Sequence, residues 1–146
     1  MAKTRRTYAG GAAATTITGA LTNSSTSITI AAYTGWPYGA SPFYVVVGPG
    51  TASEEKMLVT RSTSTSTTLT VTTRGVDGTT AAAQASGSAI YPVFTAVDAD
   101  EANEIASTLT TKGDLLTHGA TTFARVGVGA NNTVLVADSA QAEGFK

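Results

Sequence analysis

The chain has 146 residues, room for one domain of ordinary size with a small appendage, so two full cores are excluded. Charged residues make up only 13% and there is no cysteine, which excludes a disulfide-stapled mini-domain, a thiolate metal site and a cysteine nucleophile together. The difference is filled by 28 Thr, 12 Ser and 25 Ala beside 15 Gly, a bias toward strands and turns.

The net charge of −1 is too small to point to nucleic acid or a membrane surface, but it is unevenly placed. Residues 1–74 hold six cations against Glu54 and Glu55, whereas residues 75–146 hold eight acids against Lys112, Arg125 and Lys146. The N-terminus carries Lys3, Arg5 and Arg6 with no apolar stretch long enough for a signal core or a membrane span, so a chain made and kept in a cytoplasm, or leaving it by a route other than secretion, is expected.

Residues 1–14 have no hydrophobic period and read as an extended arm that orders only on a partner. In Ser27-Ile28-Thr29-Ile30 the apolar residues fall at every second position, the period of a half-buried strand. Thr34-Gly35-Trp36-Pro37-Tyr38-Gly39 is a turn, with Trp36 expected to plug the core. The unbroken run Phe43–Val47 predicts a central strand buried on both faces, with Glu54–Thr60 as its partner. A mobile tip over Arg61–Thr68 and an alternating strand Leu69–Thr72 follow, then a glycine turn at Arg74–Gly78. Ala81–Ala85 is expected to make one helical turn before a strand over Ala89–Phe94, whose Pro92 belongs at an edge or bulge. Residues 15–96 thus predict a small β-sandwich or barrel.

Past that point the texture changes. Asp98 opens a D-x-x-E capping pattern, Ala102, Ile105, Ala106 and Leu109 recur at helical spacing, and Lys112-Gly113 suits a helix end, giving a linker helix over 97–112. Its apolar face is too narrow to stand alone in water. Residues 113–146 then read as a β-ribbon: Asp114–Thr117, Phe123–Val128, a turn at Gly129–Asn132, and Thr133–Val136. A ribbon of this size is marginal by itself, so the helix and ribbon both want a partner. The fold class expected is mainly β: a small sandwich or barrel, one short helix and a C-terminal hairpin.

Little in the chain carries chemistry. His118 is the single histidine, so a metal site would need carboxylates from elsewhere, and Asp98, Asp100, Glu101 and Glu104 lack the spacing of a calcium loop. Glu54 and Glu55 are adjacent and point to opposite faces of a strand, which rules out an acid–base pair across one bond. No nucleophile elbow, Walker A or dinucleotide pattern stands in its required context. No catalytic residue, metal or cofactor is expected. Six cations without clustering beyond the arm make a poor phosphate track, so neither nucleic acid nor membrane is an expected partner. A monomeric glycan-binding module, stacking sugars on Trp36, Tyr38 and Tyr44, is the alternative class.

Two segments resemble modules of tailed-bacteriophage virion proteins. Thr73-Arg74-Gly75-Val76-Asp77-Gly78-Thr79-Thr80-Ala81-Ala82-Ala83, with Thr34-Gly35-Trp36-Pro37 upstream, resembles a T-R-G-x-D-G-T-T-A-A turn near the N-termini of such proteins. That pattern often carries a histidine after the alanines, where Gln84 stands here. Thr111-Lys112-Gly113-Asp114-Leu115-Leu116-Thr117 through Ala137-Asp138-Ser139 to Gly144-Phe145-Lys146 resembles a T-K-G-D-L-L … V-G-A-N-x-x-V-L-x-A-D-S element of fibres and other surface proteins. The resemblance implies a non-enzymatic virion component of fibre or decoration type, a homotrimer attached to capsid or tail, with residues 113–146 as the base of a longer fibre. Lys3, Arg5 and Arg6 would then anchor the chain to the particle, and Ala102, Ile105 and Leu109 would form the oligomer seam.

Overall fold

A computed structural model describes residues 11–104, 108–119, 123–142 and 144–146 and divides them into two units, 11–96 and 97–146. The chain is mainly β. The first unit holds β1 (Thr15–Thr16), β2 (Ser27–Thr29), β3 (Gly39–Val47), β4 (Glu55–Arg61), β5 (Thr68–Val76) and β6 (Ala89–Pro92). They form one antiparallel sheet in the order β1-β6-β3-β4-β5-β2.

This sheet curls until its two edges meet. Ile17 bridges Ile30, the Thr18 N–H donates to Thr29 O at 2.8 Å and the Ala31 N–H to Thr16 O at 2.9 Å. Register shifts between Gly39 and Phe43 on β3, and on either side of Leu58 on β4, supply the local coiling that closure needs. Period-2 alternation then fills the interior. Phe43, Val45 and Val47 from β3, Met57 and Val59 from β4, and Leu69, Ile28 and Ile90 from their strands form one buried cluster with Ile17, Leu21, Ile30 and Trp36. β3 is central between β4 and β6, and its outward residues Tyr44 and Val46 are buried too, as the unbroken apolar run predicts.

Both ends of the interior are polar. Glu55 and Arg61 sit on the same face of β4 as Met57 and Val59, six residues apart, and both are buried. Glu55 receives Arg74 in a two-pronged pair, Nε to Oε1 and Nη2 to Oε2 at 2.7 Å each, plus the N–H groups of Gly75 and Ala82 at 2.9 Å. Arg74 also donates to the carbonyls of Thr22, Ser25 and Ala82. Burial opposes ionisation of Glu55, but the Arg74 hydrogen bonds, the two N–H groups and the Arg74 charge outweigh it and hold its carboxyl below the usual range. At the other end Arg61 donates to the carbonyls of Trp36, Pro37, Ser64 and Ser66, and its guanidinium lies 5.2 Å from the Tyr33 ring centroid and 5.7 Å from that of Tyr38.

Several sequence expectations are corrected here. Ala81–Ala85 makes no helical turn: the Ala82 N–H donates to Glu55 and its carbonyl accepts from Arg74, and Gln84 exchanges backbone hydrogen bonds with Leu21. The tip after β4 is pinned rather than loose, because Arg61 binds its Ser64 and Ser66 carbonyls. The arm expected over 1–14 does not reach residue 14 as free chain. Ala12 packs on the core, the Ala13 N–H donates to Thr34 O, and Ala13 O accepts the Trp36 indole N–H at 2.7 Å.

The helix α1 (Ala96–Ala102) starts on the last residue of the first unit and runs into the second, with the buried Thr95 at its N-cap position. Asp98 therefore lies within the first turn rather than capping it, where its charge still suits the helix dipole. Within the helix expected over 97–112, Ala96–Ala102 is regular, Asn103 is a turn, and Glu104 and Thr108 are again helical. β7 (Leu115–His118) and β8 (Phe123–Val126) then pair antiparallel as the C-terminal hairpin. Thr133–Val136 is not a strand of that ribbon; instead Val136 exchanges backbone hydrogen bonds with Lys146, and Ala137 bridges Phe145.

Candidate association surface of the C-terminal unit

The large apolar residues that face solvent are concentrated in one unit. In the first, among the described residues, they are Tyr38 and Phe94; in the second they are Leu109, Leu115, Phe123, Val128, Val134, Leu135, Val136 and Phe145. The reason lies in the local sequence. β7 and β8 form a two-stranded sheet, and among the described residues no third strand joins them. Leu115 pairs with Val126 and Thr117 with Ala124, so these residues share one face; Leu116, His118, Phe123 and Arg125 share the other, where His118 meets Phe123 edge-on at 5.9 Å.

On the first of these faces Leu115, Val126 and Val128 line a groove of about 490 Å³, rimmed by Val134 and Leu135. Two buttressed carboxylates shape it. Asp114, whose side chain is nearly inaccessible, accepts the N–H groups of Thr110 and Thr111 at 3.1 and 2.7 Å and that of Val128 at 3.4 Å, with Arg125 Nη1 at 3.4 Å. Burial alone would raise its pKa; the three N–H donors and the Arg125 charge lower it on balance. The turn before it rests on Gly113 at φ +93°, whose missing Cβ would approach Val128 Cγ2 to 3.2 Å. Asp138 accepts the Ala140 N–H at 3.0 Å and pairs with Lys146 at 3.0 Å, which keeps its carboxyl low against a smaller effect of burial. The T-K-G-D and A-D-S residues thus act on the backbone of the groove.

The other sequence candidates are placed as follows. Lys3, Arg5, Arg6 and Ile105 lie outside the described residues. Ala102 is exposed at the end of α1, and Leu109 is exposed beyond it. Trp36 and Tyr44 are buried, with Trp36 edge-on to Phe43 at 6.2 Å, so the three aromatics do not form a sugar-stacking face; only Tyr38 is open, at 61%. Among the described residues no three His, Cys, Asp or Glu side chains gather to hold a metal.

The chain matches no protein-family model, no curated protein and no solved structure.

What the arrangement offers is a candidate association surface. The barrel's buried Glu55 and Arg61 and its half-buried Arg74 are all engaged in backbone or ion-pair contacts, and the C-terminal unit presents an apolar groove framed by ordered turns. The groove residues Val128, Val134 and Leu135 are absent from the sequence-based seam. Val134 and Leu135 belong to the strand-like run Thr133–Val136, beside which no strand of matching length lies among the described residues.

Proposed function

We propose that this chain is a non-enzymatic structural subunit of a tailed-bacteriophage virion, the base of a fibre or a decoration protein on capsid or tail, working as a homotrimer. The observation that carries the reading is the contrast between the two units: a barrel that buries its apolar residues inside, and a C-terminal unit that exposes eight large ones. Patches of this kind on a soluble chain mark surfaces completed by other protein. The resemblance of the T-R-G-x-D-G and T-K-G-D-L-L segments to virion modules gives the particle as the setting. It agrees with what those residues do here, since Arg74, Gly75, Asp77 and Asp114 fix backbone turns rather than face a substrate.

The barrel is then the scaffold, the arm with Lys3, Arg5 and Arg6 joins it to other virion proteins, and the C-terminal unit joins it to copies of itself. No cofactor, membrane or nucleic acid enters the reading. Quantitative mass spectrometry on purified phage particles is expected to find the chain as a stoichiometric component in multiples of three. Its absence from particles, with the chain left free in the host cytoplasm, overturns the proposal.

A further inference from the structure

The turn that leaves β5 contains an Asp-Gly step. Val76-Asp77-Gly78-Thr79 is closed by the Thr79 N–H on Val76 O at 3.1 Å, with Asp77 at φ +53° and Gly78 at φ +79°, the two left-handed residues of a type I′ turn. Such a step can react with itself, because glycine has no side chain to shield its amide nitrogen from the aspartate carboxyl before it. A Cβ built on Gly78 would meet nothing within 4 Å, so its surroundings are open. In the reaction a bond forms between Gly78 N and Asp77 Cγ and a Cγ–Oδ bond breaks. The oxygen leaves as water with the Gly78 amide proton and one proton from solvent. A second water then opens the cyclic imide at either carbonyl, restoring Asp77 or leaving an isoaspartyl link in which the main chain runs through Cγ.

The fold opposes the first step. Lys56 Nζ lies 2.5 Å from Asp77 Oδ2, which ties the carboxylate to β4, and the Asp77 side chain is only 9% exposed. The same lysine also grips the turn through its backbone. Its N–H donates to Thr79 Oγ1 at 3.0 Å, and that hydroxyl donates to Val76 O at 2.8 Å. Ring closure requires the carboxyl to swing away from Lys56 and present Cγ to Gly78 N. A partly exposed ion pair adds little to stability, but this one restrains the single rotation that the reaction needs.

We infer that Asp77-Gly78 is a latent isomerisation site and that Lys56 is the residue that guards it. The position of the site gives the change a structural consequence. The Gly75 N–H and the Ala82 N–H, on either side of the step, both donate to the Glu55 carboxylate at 2.9 Å. An isoaspartyl link adds one main-chain carbon between them, so both can no longer reach Glu55 as they do. Isomerisation therefore loosens the polar end of the barrel held by Glu55 and Arg74. The inference concerns the first unit alone and does not depend on the proposed function.

The test ages the full-length chain in warm neutral buffer beside Lys56→Gln and Lys56→Arg. Trypsin releases the peptide Gly75–Lys112, and chromatography with electron-transfer fragmentation locates a β-linkage at residue 77. Isoaspartate is expected to accumulate about tenfold faster or more in Lys56→Gln than in the native chain, with Trp36 emission unchanged, because the carboxyl is then free to turn. Lys56→Arg, which keeps a cation there, is expected to stay near the native rate, and the native chain in urea to react fastest. A folded Lys56→Gln that isomerises at the native rate overturns the guarding role. A native chain that reacts as fast folded as in urea overturns the protection altogether. If Lys56→Gln does not fold, the native chain decides. Salt at about 1 M screens an ion pair whose lysine is open to solvent and should quicken its isomerisation; an unchanged rate overturns the assignment of Lys56.

Discussion

Glu55 and Arg74 together tie β4, β5, the loop before β2 and the segment after the R-G-V-D-G turn. Breaking a buried pair by removing one partner leaves the other charge uncompensated, a loss of about 3–5 kcal/mol. Glu55→Gln should therefore lower the urea midpoint of the barrel by that order, read through Trp36 emission. The same pair makes the barrel acid-sensitive. Glu55's folded value lies below its ordinary 4.5, so its contribution is present above that value and is lost as pH falls through the folded one. Stability of the native chain should drop from pH 6 toward pH 2 more steeply than that of Glu55→Gln. At the opposite end, Arg61→Lys keeps the charge but cannot reach four carbonyls with one ammonium, and a loss of about 1–3 kcal/mol in the same assay is expected. Neither buried charge is flagged by residue type, since Glu and Arg are mostly exposed. The available signal is register: Glu55, Met57, Val59 and Arg61 share one face at period 2, and the two apolar members fix it as the inner one.

At the scale of elements, the strands most legible in the sequence are those whose burial pattern is local. Ile28 with Ile30, and the run Phe43–Val47, announce one buried face and two respectively. Ala81–Ala85 misleads because alanine favours helix, while the backbone of Ala82 is claimed by two side chains that lie eight and 27 residues away. Thr133–Val136 misleads in the opposite way, since a strand-like composition forms a strand only when an edge is offered to it. The R-G-V-D-G turn ties these levels together. Gly75 sits at φ +59° with Ala81 N 2.8 Å from where a Cβ would stand, and Lys56 clamps Asp77 from the neighbouring strand at 2.5 Å. Gly75→Ala should cost about 1–3 kcal/mol, measured by denaturation, because both the dihedral and the close approach oppose a side chain. Gly78→Ala, at φ +79° but with open space around it, should cost less.

At the scale of the whole molecule the two units divide the work of being stable and being incomplete. The bridge between Ile17 and Ile30 joins the two ends of the first unit's sheet, which shortens the edge open to unwanted pairing. The second unit keeps two ribbon edges and an apolar groove, held in shape by Asp114 and Asp138, whose lowered carboxyls make its order another property lost on acidification. The sequence conveys this division through the marginal size of the ribbon, but not the position of the groove, which depends on the turn at Gly113 and the pairing of Val136 with Lys146. The most direct measurement of the central claim is the solution mass of the full chain by light scattering across a concentration series. The account predicts three times the 14.7 kDa of one copy; a mass of one copy throughout, at concentrations where the barrel is folded, would contradict it.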